Sequence, residues 1–146
     1  MNINIQKFLS LQTCASICCI DKDNKPYCFS CYFAFNEDDG LLYFKSSLDS
    51  HHVGLLLENP AVAITVLPDT LNKLAVKGVQ MQGLVLNLKD SRALAASTFY
   101  HKRNPMAYAI KGTVFSVRID VIKMTDSSRV FGKKLCWERG IPEVLK

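Results

Sequence analysis

The chain has 146 residues, 49% hydrophobic and 21% charged, which suits one domain with a real core and excludes a disordered or coiled-coil chain. Its net charge of +5, from 18 Lys and Arg against 13 Asp and Glu, favours an anionic ligand but is too dispersed for a nucleic-acid surface. No apolar run approaches the roughly 20 residues that span a bilayer, and the start MNINIQKFLSLQ lacks signal-peptide features, so a cytoplasmic protein with no nucleic-acid or membrane partner is expected.

Residues 4–11 read as a short helical or irregular lead-in, and 13–21 (TCASICCID) as a buried strand. The cluster DKDNKP at 21–26 is hairpin punctuation, leading into an aromatic strand at 27–35. NEDDG at 36–40 turns the chain again, into a strand at 41–45. A polar elbow at 46–50 precedes a short apolar helix over about 51–58. Asn59 and Pro60 stop that helix, because proline disfavours a helical conformation in the residue before it.

A strand at 61–67 and a loop at 68–73 follow. A long strand at 75–87 carries Gly78 and Gly83, which suggest a bulge or bend where a sheet closes on itself. Residues 89–102 predict the clearest helix, capped by Asp90 or Ser91, with Leu94, Ala95, Thr98 and Phe99 at helical spacing. Its cationic end, His101 to Arg103, suits the negative pole of the helix dipole. Strands at 113–125 and about 130–138 finish the chain. The expected architecture is mainly β, a small Greek-key-like antiparallel barrel with short helices, as a single domain over 1–146. The strand at 27–35 is apolar on both faces and needs a second covering surface, which predicts a homodimer.

Six cysteines raise the question of metal or disulfide. Cys28 and Cys31 have C-x-x-C spacing, but within a strand positions i and i+3 point to opposite faces. Cys14 and Cys18 share a face but lie ~13 Å apart. Buried free thiols in the core are the simpler expectation. Adjacent helical residues diverge by about 100°, so His51 and His52 do not share a metal ion. No metal site is expected.

The informative segment is the elbow. Lys45, Ser46, Ser47, Ser50, His51 and His52 cluster around a helix start. Unpaired N–H groups and about half a positive charge make such a terminus a phosphate seat. Solvated surface residues are the plainer alternative for the two histidines.

The DKDNKPY turn, the block GLLYFKSS…SHH…ENPAVAITV, GVQMQG, FYHKRNP and the run FSVRIDVIKMTD…FGKKLCWER together resemble the FMN-binding split barrel of the pyridoxamine 5′-phosphate oxidase-related superfamily. The resemblance covers nearly the whole chain and implies a homodimer with FMN in clefts at the subunit interface. By that resemblance, Phe44, Lys45 and Ser46 meet the phosphate and ribityl chain, and Ser50, His51 and His52 fall on the family's Ser-Arg-Lys phosphate trio. The backbone of Phe29, Ser30, Cys31, Tyr32 and Phe33 would line the flavin ring, with Trp137 approaching from the other subunit. Arg103 matches a substrate-phosphate arginine.

Several positions depart from the oxidase. Its Arg-Lys pair is His51 and His52 here, with Lys45 available to supply the lost charge. Its basic residues on the second strand are Phe29 and Ala34, and the tyrosine neighbour of its substrate arginine is Phe99. These changes leave the substrate unassigned. An FMN-dependent oxidoreductase is the first functional expectation, and a non-catalytic module for flavin, haem or another cofactor is the alternative.

Overall fold

The computed structural model describes residues 1–127 and 134–141. In chain order the elements are α1 (Ile3–Leu11), β1 (Cys14–Ile20), β2 (Pro26–Asn36), β3 (Leu41–Ser46), α2 (His51–Glu58), β4 (Ala61–Val66) and β5 (Lys77–Val85). A 3-10 turn at Ser91–Ala93, α3 (Ala96–Arg103), a second 3-10 turn at Pro105–Ala109, β6 (Thr113–Asp126) and β7 (Lys134–Glu138) complete them. The sheet runs β3-β2-β1-β4-β5-β6-β7, every pair antiparallel. Because β3 also pairs with β6, six strands close into a barrel and β7 lies outside it on β6. The spatial order β4-β1-β2-β3 is a Greek key, with the elbow and α2 forming its long return connection.

Alternation along the strands divides the molecule into two cores. Ile17, Phe33, Phe44, Phe115 and Ile119 fill the barrel, joined by Ile5 and Leu9 of α1 and Val53 and Leu56 of α2. A smaller cluster of Ala34, Leu41, Tyr43 and Tyr100 lies between the outside of the barrel and α3. The outer row of β1 and β2 is less buried than two-sided apolarity suggests: Cys14, Cys28, Ser30 and Tyr32 are exposed.

Some expected boundaries are corrected. The helix expected over 89–102 is broken at Leu94 and Ala95. Asp90 does cap, accepting from the Arg92 N–H, but it caps only a 3-10 turn. Leu94 is 78% exposed, and the face that packs carries Ala96 and Tyr100 instead. The strand expected over 75–87 is confined to Lys77–Val85. Of the strand expected at about 130–138, 134–138 is β7 and 130–133 lies outside the described residues. The cysteines are not a buried set: all six are free, and only Cys19 is buried. Among the described residues no group of three or more His, Cys, Asp or Glu is placed to hold a metal ion. Nor is any described helix long and apolar enough to cross a membrane.

The expected irregularity at Gly83 is present as a register shift between β5 and β6 at Gln82/Gly83. A Cβ at Gly83 would fall on the Arg118 carbonyl, so the strands approach this closely only through glycine. Gly83→Ala should cost about 2 kcal/mol, on the scale of overpacked cores. Gly54→Ala, whose methyl meets open space on α2, should gain about 0.5–1 kcal/mol by helix propensity. Urea denaturation compares the two; equal midpoints would contradict the close approach.

Candidate functional site

The barrel wall has an opening beside β2. This strand pairs with β1 from Pro26 to Tyr32, but with β3 only from Phe33 to Asn36. Beyond Phe44, the last residues of β3 stay on β6. The Phe33 N–H bonds the Thr13 carbonyl and the Asp21 N–H bonds the Lys25 carbonyl. With constant register between β1 and β2, odd-numbered residues of β2 therefore direct their backbone groups to β1. Cys28 and Ser30 turn theirs toward the opening, where no strand meets them. No local pattern in the chain signals this free edge, since it depends on where two strands part.

The elbow closes the lower side of that opening. Ser46 ends β3 on the same face as Phe44, and its Oγ lies 2.7 Å from His52 Nε2 and 3.0 Å from Ser50 Oγ. Ser50 Oγ lies 3.2 Å from the same imidazole nitrogen and donates to the Ser47 carbonyl at 2.7 Å. Ser50 is the N-cap of α2, but its side chain makes no capping bond to the first turn. Helix-start N–H groups, hydroxyls and an imidazole nitrogen thus converge at one corner.

Aromatic rings of β2 hold both histidines. The His52 ring stacks on Phe29 with centroids 3.8 Å apart and planes 14° from parallel. The His51 ring meets Tyr27 edge-on at 4.9 Å. Tyr27 was not foreseen, because only the register brings the hairpin beside α2. Burial, and secondarily the neighbouring charge of His51, holds the His52 pKa below its ordinary 6.5. The unliganded imidazole is therefore neutral at neutral pH. For stability the sign is clear: the folded value lies below the unfolded one, so this contribution is complete above 6.5 and is lost as pH falls through 6.5 toward the folded value.

Lys45 lies elsewhere. As the neighbour of Ser46 on a pleated strand it faces the opposite side. Its Nζ donates to the Ala107 carbonyl at 2.8 Å and lies 3.1 Å from His101 Nε2. His101 Nδ1–H donates to the Ser97 carbonyl at 2.8 Å, leaving Nε2 as the acceptor for Lys45. His101 is buried and stacks on Tyr108 at 4.1 Å. Lys45 thus does not supply the charge expected at the elbow, and His101 is not a solvated cation at a helix end.

Of the other expected residues, Phe44 and Phe33 are buried in the barrel. Cys31 also faces inward, and burial pushes its thiol up to about 12. Arg103 lies on the far side of β2 beside a groove of about 320 Å³ floored by Phe35 and Phe99, donating to the Ser10 carbonyl. Trp137 lies near Gly40, at the other end of β3 from the elbow. Six residues of strand, roughly 20 Å, separate it from Ser46. Within one chain, Ser46, Ser47, Ser50, His51, His52 and Phe29 come together, and Arg103 and Trp137 do not join them.

A sequence profile for pyridoxamine 5′-phosphate oxidase matches residues 1–125. The chain belongs to this family. It is 31% identical over 135 residues to a UPF0306 protein of Photorhabdus laumondii, covering 92% of this chain and 94% of that one. In the pyridoxamine 5′-phosphate oxidase family fold, a heme-binding protein from Mycobacterium smegmatis superposes with a TM-score of 0.75 at 12% identity. The match covers 90% of this chain but only 55% of the mycobacterial one, so the chain spans about half of that protein. A FAD-binding protein from Mesorhizobium loti superposes at 0.67 with 19% identity, covering 84% of this chain and 91% of that chain.

The Lys45 contacts give a direct test. Lys45→Met leaves the Ala107 carbonyl and His101 Nε2 without their donor and should cost about 1–3 kcal/mol. An unchanged denaturation midpoint would show that the ammonium does not hold these groups.

Proposed function

We infer that the chain is an FMN-binding flavoprotein, an oxidoreductase of the pyridoxamine 5′-phosphate oxidase-related type that acts on a small molecule in the cytoplasm. One juxtaposition supports this reading. A corner of hydroxyls, imidazole and helix-start N–H groups opens beside the free edge of β2. The corner suits a phosphate, and the backbone groups of Cys28 and Ser30 suit the polar rim of a flat heterocycle. The FAD of the Mesorhizobium neighbour is consistent with a flavin on this fold.

The donor set fits a phosphate, with weaker charge than two permanent cations would give. Ser46 and Ser50 each offer a hydroxyl, and the first turn of α2 offers backbone donors. His52 takes up a proton as the anion arrives, since an opposite charge favours the imidazolium. Phe29 keeps that ring oriented. Bound FMN supplies the electron transfer, and the protein supplies position and electrostatics. The heme bound by the mycobacterial neighbour supports a second reading, a non-catalytic cofactor module, favoured here by the exposed His51 imidazole. A visible spectrum separates the two, through flavin bands or a Soret band.

The active unit in this reading is a homodimer with a cofactor cleft at the subunit boundary. Tyr32 (62% exposed) and Leu67 (56% exposed), with Cys14 and Thr65 beside them, form an uncharged outer surface suited to a second copy. Light scattering should give twice 16.4 kDa, and a monomer at micromolar concentration would contradict this part.

FMN titration monitored by flavin fluorescence tests the site. Between about pH 7 and 8.5 the phosphate is already dianionic, so affinity should weaken with rising pH by up to about tenfold per unit, the slope of one linked proton. His52→Ala should weaken binding about tenfold, the loss of one bond to a charged group, and remove the slope. Equal affinity across that range, or in the variant, would place the phosphate elsewhere.

A further inference from the structure

Cys18 on β1 and Cys28 on β2 are cross-strand partners. They stand at the same phase of the ladder as Ser16 and Ser30, whose hydroxyls are 3.1 Å apart. The backbone bonds at Thr13–Phe33 and Asp21–Lys25 fix that phase as the non-hydrogen-bonded one. At such positions side chains approach most closely and the Cα atoms stand about 4.5 Å apart. A disulfide requires about 4.4–6.8 Å between Cα atoms, so the pair falls at the short end of the bondable range. Both thiols are free and both lie on the outer face, Cys28 exposed and Cys18 half-buried.

We propose that Cys18 and Cys28 form a reversible redox site, closed into a cross-strand disulfide by small-molecule disulfides and reopened by thiols. The site is independent of the flavin reading.

The chemistry is thiol–disulfide exchange in two steps. The exposed Cys28 thiolate attacks one sulfur of a disulfide RSSR, forming a Cys28–S–S–R bond and releasing RS⁻. Cys18 then gives up its proton and attacks Cys28 Sγ, releasing the second RS⁻. Both leaving thiolates take up the two protons lost, so two protein thiols are oxidised and one RSSR becomes two RSH. Cys18 is the poorer first nucleophile: the neighbouring Cys28 thiol, then burial, raises its pKa, so it holds its proton while Cys28 reacts. Excess thiol runs the same exchange in reverse and reopens the bond.

None of the other four cysteines competes in the same chain. Cys14 opposes Tyr32, Cys31 opposes Ala15, Cys19 opposes Tyr27 and Cys136 lies on β7 opposite Lys123. Closure would also tighten the hairpin that carries Tyr27 and Phe29, the rings beneath both elbow imidazoles.

The test treats the full-length protein with oxidised glutathione and follows thiol count, intact mass and peptide map. The expected result is loss of two of the six thiols, a mass lower by two hydrogens, and one peptide linking Cys18 to Cys28, with all three reversed by dithiothreitol. In Cys18→Ser the glutathione adduct should persist on Cys28; circular dichroism confirms that the variant folds. If that variant fails to fold, Cys28→Ser should retain all of its remaining thiols unlinked. A lasting adduct on wild-type Cys28, a link to any other cysteine or between chains, or six unreacted thiols would overturn the proposal.

Discussion

Pairing of β3 with β6 along the full length of β3 is the constraint on which the molecule depends. It closes the barrel, and it also forces β3 to leave β2 after Phe44. One decision thus makes both the enclosed core and the opening in its wall. The same pairing fixes which way each β3 side chain points. Phe44 and Ser46 face the barrel and its mouth, and Tyr43 and Lys45 face α3.

That alternation explains the chemistry of the elbow. The strand end delivers a hydroxyl to the corner and sends its one cation away to support the second 3-10 turn. Beside the helix start stand serines and the His52 imidazole, whose proton affinity is lowered by burial. On the flavin reading proposed above, an arriving anion brings that proton in, so binding and protonation are one event, where a pair of permanent cations would keep them separate.

Much of the architecture was legible because the signals were local. The elbow helix over 51–58 follows from an apolar run between a polar cluster and Asn59–Pro60, and the bulge follows from Gly83 inside a strand. The barrel itself was readable from strand spacing. The misread features all depend on long-range geometry. Leu94 fits a helical repeat, but no core lies opposite it, so the helix breaks there. His101 looks like a charge at a helix end until Tyr108 and Lys45 close over it. Lys45 and Ser46 are sequence neighbours, and only the pleat shows that they serve opposite sides of a wall. The cysteines were expected in the core from their residue type, yet the period-2 pattern places three of them on the outer face of β1 and β2.

Long-range ¹⁵N NMR of the imidazoles during addition of FMN at about pH 7.5, one unit above the reference histidine value, follows the proton at the elbow. The ring nitrogens of His52 should move from the neutral to the imidazolium pattern as the cofactor binds, while His101 keeps its Nδ1–H tautomer. Saturation with FMN that leaves His52 neutral, or that protonates His101 in its place, would place the phosphate contact elsewhere.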